Sequence, residues 1–210
     1  NVLSNRYFTS APAYTCGATF SNDCQSNRSL ADASRRGANT TINAAFLAGV
    51  DTTWSGIGSG LWHFATHPDD RARINAEPEL IPTAIEEFLR AYSPVTMARE
   101  VMKETTISGC PVKPGNMVLL SFPAANRDPA MFPDADKVVI DRKENRHAAF
   151  GLGIHRCVGS NLARMEMTVA IEEWLKRIPD FRLDPVGKVT WSEGTVRGPR
   201  QLPVLFGKGI

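Results

Sequence analysis

The residues whose types and spacing bear most directly on chemistry lie in Phe150-Gly151-Leu152-Gly153-Ile154-His155-Arg156-Cys157-Val158-Gly159. A glycine-rich turn there delivers a single cysteine to the start of a helix, where backbone N–H groups and the helix dipole favour the thiolate. A thiolate so held ligates a soft metal centre. The competing reading of a lone cysteine is a buried small hydrophobe, because free cysteines are among the most buried residues. Two further pairs stand out. Asp51 and Thr52, within Ala48-Gly49-Val50-Asp51-Thr52-Thr53, set an acid beside a hydroxyl on a helix, which taken alone reads as an exposed turn. Glu87 and Arg90, counted at 100° per residue, share a helix face opposite the apolar stripe and read as a surface ion pair worth about 0.5 kcal/mol or less.

These groups need elements to carry them. From about Thr41 to Ala65 the spacing of Val50, Trp54, Ile57, Leu61 and Phe64 predicts a helix. Its other side carries the small residues Ala48, Thr52, Ser55, Gly56 and Ser59, and each of Gly49, Gly56, Gly58 and Gly60 costs up to about 1 kcal/mol relative to alanine inside a helix. Such a face implies that something approaches the backbone closely. A short helix is expected from Pro68, with Asp69 and Asp70 at its positive end, and another over Ile81–Tyr92 that Ser93-Pro94 terminates. Thr105-Thr106-Ile107 and Met117-Val118-Leu119-Leu120 read as strands of small hairpins around turns at Ser108-Gly109 and Pro114-Gly115. Ala124 to His147 has no period and reads as a long irregular segment, a feature that in compact domains is usually functional. A deeply buried helix follows Cys157 as far as Arg177, with Ala163, Met167, Ala170, Ile171 and Trp174 on one side and Leu162, Met165 and Val169 on the other. Val189 to Phe206 supplies a closing hairpin. The fold class is mainly α with small β-sheets, α+β.

Composition narrows the function classes. The 210 residues predict one domain or one domain plus a tail, and 42% hydrophobic with 22% charged residues suits a globular core. The 24 basic against 22 acidic residues form no block of Lys and Arg, which argues against a nucleic-acid partner. No apolar run approaches the roughly 20 residues of a membrane span. Cys16, Cys24, Cys110 and Cys157 are widely spaced with no paired-ligand pattern, which argues against a disulfide scaffold and against a zinc site built on His155 and Cys157. A reducing, cytoplasmic setting fits best. Residues 1–38 carry no persistent apolar period and read as an irregular or unrelated leader, leaving 39–210 as the domain.

Phe150, Gly153, His155, Cys157 and Gly159 fill every fixed position of the haem-binding signature Phe-x-x-Gly-x-Arg/His-x-Cys-x-Gly, so the sequence resembles a cytochrome P450 of the soluble, bacterial type. Ala48-Gly49-Val50-Asp51-Thr52-Thr53 resembles the family's oxygen-binding helix, and Glu87-Phe88-Leu89-Arg90 its Glu-x-x-Arg pair. Ala98-Arg99, Ala125-Asn126-Arg127-Asp128-Pro129 and Leu162-Ala163-Arg164-Met165-Glu166 are collinear with weaker family patterns. The resemblance covers about residues 44–210 and implies a partial P450 fold, its C-terminal, haem-ligating half.

The resemblance implies that Cys157 is the axial ligand of haem b, with Phe150 shielding the sulfur, Gly151 and Gly159 also among the cofactor-binding residues, and His155 and Arg99 meeting the haem propionates. Ala48 and Gly49 would leave room for dioxygen, Thr52 would donate a hydrogen bond there, and Asp51 would relay protons. Glu87 and Arg90 would form a buried pair, joined by a third cation for which Lys137 is the expected match and Arg142 the nearby alternative. Val95, Thr96 and Met97 would face an apolar substrate. The implied activity is a haem-thiolate monooxygenase that hydroxylates a small apolar molecule, with electrons reaching it from NAD(P)H through a ferredoxin or flavodoxin and its reductase. Docking of that partner would use Arg156 and Arg164. The alternative is a catalytically silent, truncated haem-binding or structural remnant.

Overall fold

A computed structural model describes residues 30–207, which fall into two units divided between Phe46 and Leu47. Of the expected leader, residues 1–29 lie outside the described part, together with Cys16 and Cys24. The stretch 30–38 is helical rather than irregular, because α1 runs Leu30–Thr66. Leu30-Ala31-Asp32-Ala33 and Arg35-Arg36 are mostly good helix formers that carry no apolar stripe, so periodicity missed them.

In the second unit α1 is followed by α2 (Pro68–Ala76) and, after a 3-10 turn at Pro78–Leu80, by α3 (Ile81–Tyr92). Proline opens both α2 and α3 near their first turns, where its missing N–H is not needed. Ser93, at φ 26°, ends α3; its N–H and hydroxyl both bond the Leu89 carbonyl. The strands then form four two-stranded antiparallel sheets. Strand β1 (Thr96–Glu100) pairs with β4 (Met117–Ser121), enclosing the hairpin of β2 (Thr105–Ile107) and β3 (Cys110–Val112). After α4 (Phe122–Ala125) the chain is irregular up to the 3-10 turn Gly153–His155, and α5 (Ser160–Arg177) follows. Strand β5 (Phe181–Leu183) pairs with β8 (Val204–Phe206), and β6 (Thr190–Glu193) with β7 (Arg197–Gln201).

The core gathers Phe64 of α1, Ile74 of α2, Ile85 and Phe88 of α3, and Met167 and Ile171 of α5. The small face of α1 is the surface that α5 approaches. A Cβ at Gly56 would stand 3.2 Å from Met167 Sδ, and one at Gly60 would stand 3.2 Å from both Ile171 Cδ1 and Phe88 Cδ2. Glycine here permits a helix contact that alanine would crowd.

Two expected burials do not occur. Leu162, Met165 and Val169 leave more than half of their surface exposed, so the large apolar residues that α5 buries are the stripe of Met167, Ile171 and Leu175. Val50 and Trp54 of the α1 stripe are likewise exposed and border a groove of about 590 Å³. An apolar period specifies a face that favours burial, and burial itself requires a partner element.

Candidate functional site

Cys157 lies between the 3-10 turn and α5, so it precedes the helix instead of beginning it. Its thiol is exposed, which excludes the reading as a buried hydrophobe. The loop holds its shape through the backbone. Gly151 and Gly153 adopt φ 70° and 68°, a region that disfavours any residue with a side chain. The Cys157 N–H donates to the Phe150 carbonyl at 2.8 Å and the Gly151 N–H to the Ala148 carbonyl at 2.8 Å. A Cβ at Gly159 would stand 3.9 Å from the sulfur, in ordinary van der Waals contact with it. Leu152, Ile154 and Val158 of the same loop are exposed apolar side chains that nothing covers among the described residues.

A carboxylate ties both ends of this loop to α3. Arg164 of α5 donates from Nε and Nη2 to Glu86, at 2.5 and 2.9 Å, and its guanidinium carbon lies 4.6 Å from the centre of the Phe150 ring. His147, on the other side of the loop, meets Glu86 Oε2 through Nε2 at 3.0 Å, while its Nδ1 accepts the Ala149 N–H. With Nδ1 accepting, the proton that meets Glu86 is the one on Nε2. Burial pushes the Glu86 carboxyl up, but the hydrogen bonds from His147 and Arg164 outweigh it and hold the group down at about 2. Arg164 is thereby paired with Glu86 and partly exposed, and Arg156 is exposed.

The Glu87–Arg90 pair is fully buried, not on the surface as helix counting suggests. Arg90 donates to both Glu87 oxygens at 2.8 Å and to the carbonyls of Asn126, Ala135 and Lys137. The third cation is Arg142, whose Nε lies 3.0 Å from Glu87 Oε2. The Lys137 ammonium instead pairs with Asp134 at 2.9 Å, and only its carbonyl reaches the cluster. Asn126 joins the same framework, accepting the Ala148 N–H at 2.7 Å and donating to Ser93 Oγ.

On α1, Ala48 and Gly49 are exposed, and a Cβ at Gly49 would meet nothing within 4 Å. The Thr52 hydroxyl donates to the Ala48 carbonyl one turn back, and Asp51 is held by Arg200 of β7 at 2.5 and 3.2 Å. In the β1–β4 sheet Met97 and Arg99 share a face with Leu120 and Val118, whereas Thr96 lies on the opposite face with Ser121. Alternation therefore separates Thr96 from Met97, although both were expected to face one pocket. Val95 is half-buried and bridges Val196. Arg99 is exposed and bonds the Ala98 carbonyl at 2.9 Å, and His155 is exposed on the 3-10 turn. Among the described residues no hydrogen bond joins the Cys157 loop to α1, and no three His, Cys, Asp or Glu side chains converge as metal ligands.

Sequence reasoning missed Glu86, His147 and Arg200. Glu86 sits beside Glu87 in a Glu-Glu step, and only the positions of α5 and His147 distinguish their roles. The signal that was available is Arg164 in Leu162-Ala163-Arg164, a cation one turn into the helix that follows the cysteine.

Comparison with known proteins follows the same lines. A family profile described as cytochrome P450 matches residues 19–193. The mycinamicin IV hydroxylase/epoxidase of Micromonospora griseorubida is 41% identical over 166 residues, which cover 76% of this chain and 42% of that protein. The polyketide biosynthesis cytochrome P450 PksS of Bacillus subtilis is 38% identical over 166 residues, covering 77% of this chain and 41% of that protein. Its solved structure superposes with a TM-score of 0.76 at 37% identity, over 80% of this chain and 45% of that one. A structure of CYP109E1 from Bacillus megaterium in complex with testosterone gives a TM-score of 0.75 at 34% identity, over 79% and 46%. The chain spans about two fifths of the length of the curated relatives it matches.

Proposed function

The chain belongs to the cytochrome P450 family, and from that premise we propose that it is the C-terminal, haem-ligating part of a haem-thiolate monooxygenase acting on a small apolar molecule. The observation that carries this reading is the exposed Cys157 thiol on a loop held by its backbone and by Glu86. The donor chemistry fits haem b: a lone soft sulfur stands on a loop whose Leu152, Ile154 and Val158 are exposed and apolar, suited to a flat apolar macrocycle. When bound, the haem supplies the activation of dioxygen for C–H hydroxylation, with electrons from NAD(P)H delivered by a cytoplasmic ferredoxin or flavodoxin system.

The protein's part is to bind, orient and move protons. Cys157 would hold the iron, and the hydrogen bond from its N–H to the Phe150 carbonyl fixes the backbone from which its side chain projects. Arg99 and His155, both exposed, are free to meet propionates. Gly49 leaves space beside α1, and Thr52, now bonded to the Ala48 carbonyl, can turn its hydroxyl proton toward a ligand there. Asp51 takes protons from solvent, and Arg200 sets its position. Met97 lines the substrate side of β1. Relatives named for mycinamicin IV, for polyketide biosynthesis and for a steroid support a small organic substrate.

Haem titration of the purified chain tests the proposal: uptake at one equivalent, abolished by C157A, supports haem ligation, and equal uptake by C157A contradicts it.

A further inference from the structure

The Cys157 loop leaves the irregular segment after His147 and enters α5 ahead of Arg164, and the side chains of these two flanking residues meet on a single carboxylate. Glu86 thus closes the base of the loop from outside it. Arg164 also lies over the ring of Phe150, the residue whose carbonyl receives the Cys157 N–H. An unbroken run of contacts therefore leads from α3 to the backbone of the cysteine: Glu86 to Arg164, Arg164 to the Phe150 ring, and Phe150 to the Cys157 N–H.

We infer that Glu86 is a positioning residue for the Cys157 thiol, acting through Arg164 and His147 and separate from the Glu87–Arg90 pair beside it. This inference rests on the reading of Cys157 as an axial ligand. The two neighbouring glutamates divide the labour. Glu87 points to Arg90, Arg142 and Asn145 and secures the irregular segment, while Glu86 faces the loop alone. Without Glu86, the hydrogen bond left to hold Arg164 over Phe150 among the described residues is a 3.4 Å contact to the Ser160 carbonyl.

The test is residue-resolved amide hydrogen exchange on the full 210-residue chain, comparing wild type with E86Q and R164Q. Loss of the clamp speeds exchange at Cys157 by about tenfold, while Phe64 and Phe88 in the core keep their rates. Arg164 is partly exposed, so R164Q decides the matter should E86Q fail to fold. Unchanged exchange at Cys157 in R164Q overturns the inference, and so does an equal acceleration of every protected amide, which marks a general loss of stability. The ferrous carbon monoxide spectrum of the same proteins after haem loading is the second readout. E86Q is expected to lose part of the far-red-shifted thiolate band that wild type shows. A wild-type chain without that band, but with a Cys157 amide that responds to R164Q, refutes the ligand reading and leaves the clamp standing.

Discussion

Arg142 Nε lies 3.0 Å from Glu87 Oε2, and Glu87 in turn faces Arg90 with both of their side chains fully buried. Two guanidinium groups therefore share one carboxylate inside the protein, and the irregular segment that supplies Arg142 is fastened to α3 by charge as well as by packing. Removing one member of a buried pair leaves an uncompensated charge, which costs about 3–5 kcal/mol. E87Q is expected to lose stability on that scale in urea denaturation. K137A, whose exposed ammonium is paired only with Asp134, is expected to stay within about 0.5 kcal/mol of wild type.

Glycine replacements separate close contact from open space. A Cβ at Gly198 would stand 2.4 Å from Ser55 Cβ and 2.7 Å from its Cα, a backbone atom that cannot step aside. G198A is expected to destabilise the chain by about 1–3 kcal/mol through overpacking. A Cβ at Gly49 meets nothing. G49A is expected to raise the stability of the haem-free chain by up to about 1 kcal/mol through helix propensity, and to weaken haem uptake. Thermal melts with and without haem check both signs.

Acid stability carries the signature of two groups with distinct windows. The Glu86 carboxyl is depressed from 4.5 to about 2, so its contribution is fully present above about 4.5 and is lost as pH falls toward 2. His63 is buried, and that burial, outweighing its hydrogen bond to Asp70, lowers its proton affinity below the ordinary 6.5. The unfolded chain then binds a proton that the folded one refuses, and stability falls as pH drops below about 6.5. Unfolding free energies measured across this range are expected to lose the lower part of the slope in E86Q and to keep the upper part.

Much of the fold is legible in the sequence where the signal is local. The bounds of α3 follow from Pro82, the apolar stripe and Ser93, and the loop around Cys157 follows from its glycines. What was not legible depends on distant chain. Helix counting put Glu87 and Arg90 on a surface because the segment that covers them, Asn126 to Asn145, is far away in sequence. Lys137 and Arg142 are both cations near the right place, and only the path of the irregular chain selects the arginine. Strand β4 pairs with β1 across the intervening hairpin, a choice that turn residues do not encode. The exposed face of α5 has the composition of a buried one, since composition does not say whether a partner element is present.

Haem-thiolate ligation by Cys157 is tested most directly by the ferrous carbon monoxide difference spectrum of the reconstituted chain beside its C157S variant. The expected result is the far-red-shifted Soret band in wild type and its absence in C157S. A less shifted band that is identical in both proteins, or no haem signal in either, would contradict the assignment and favour the silent remnant.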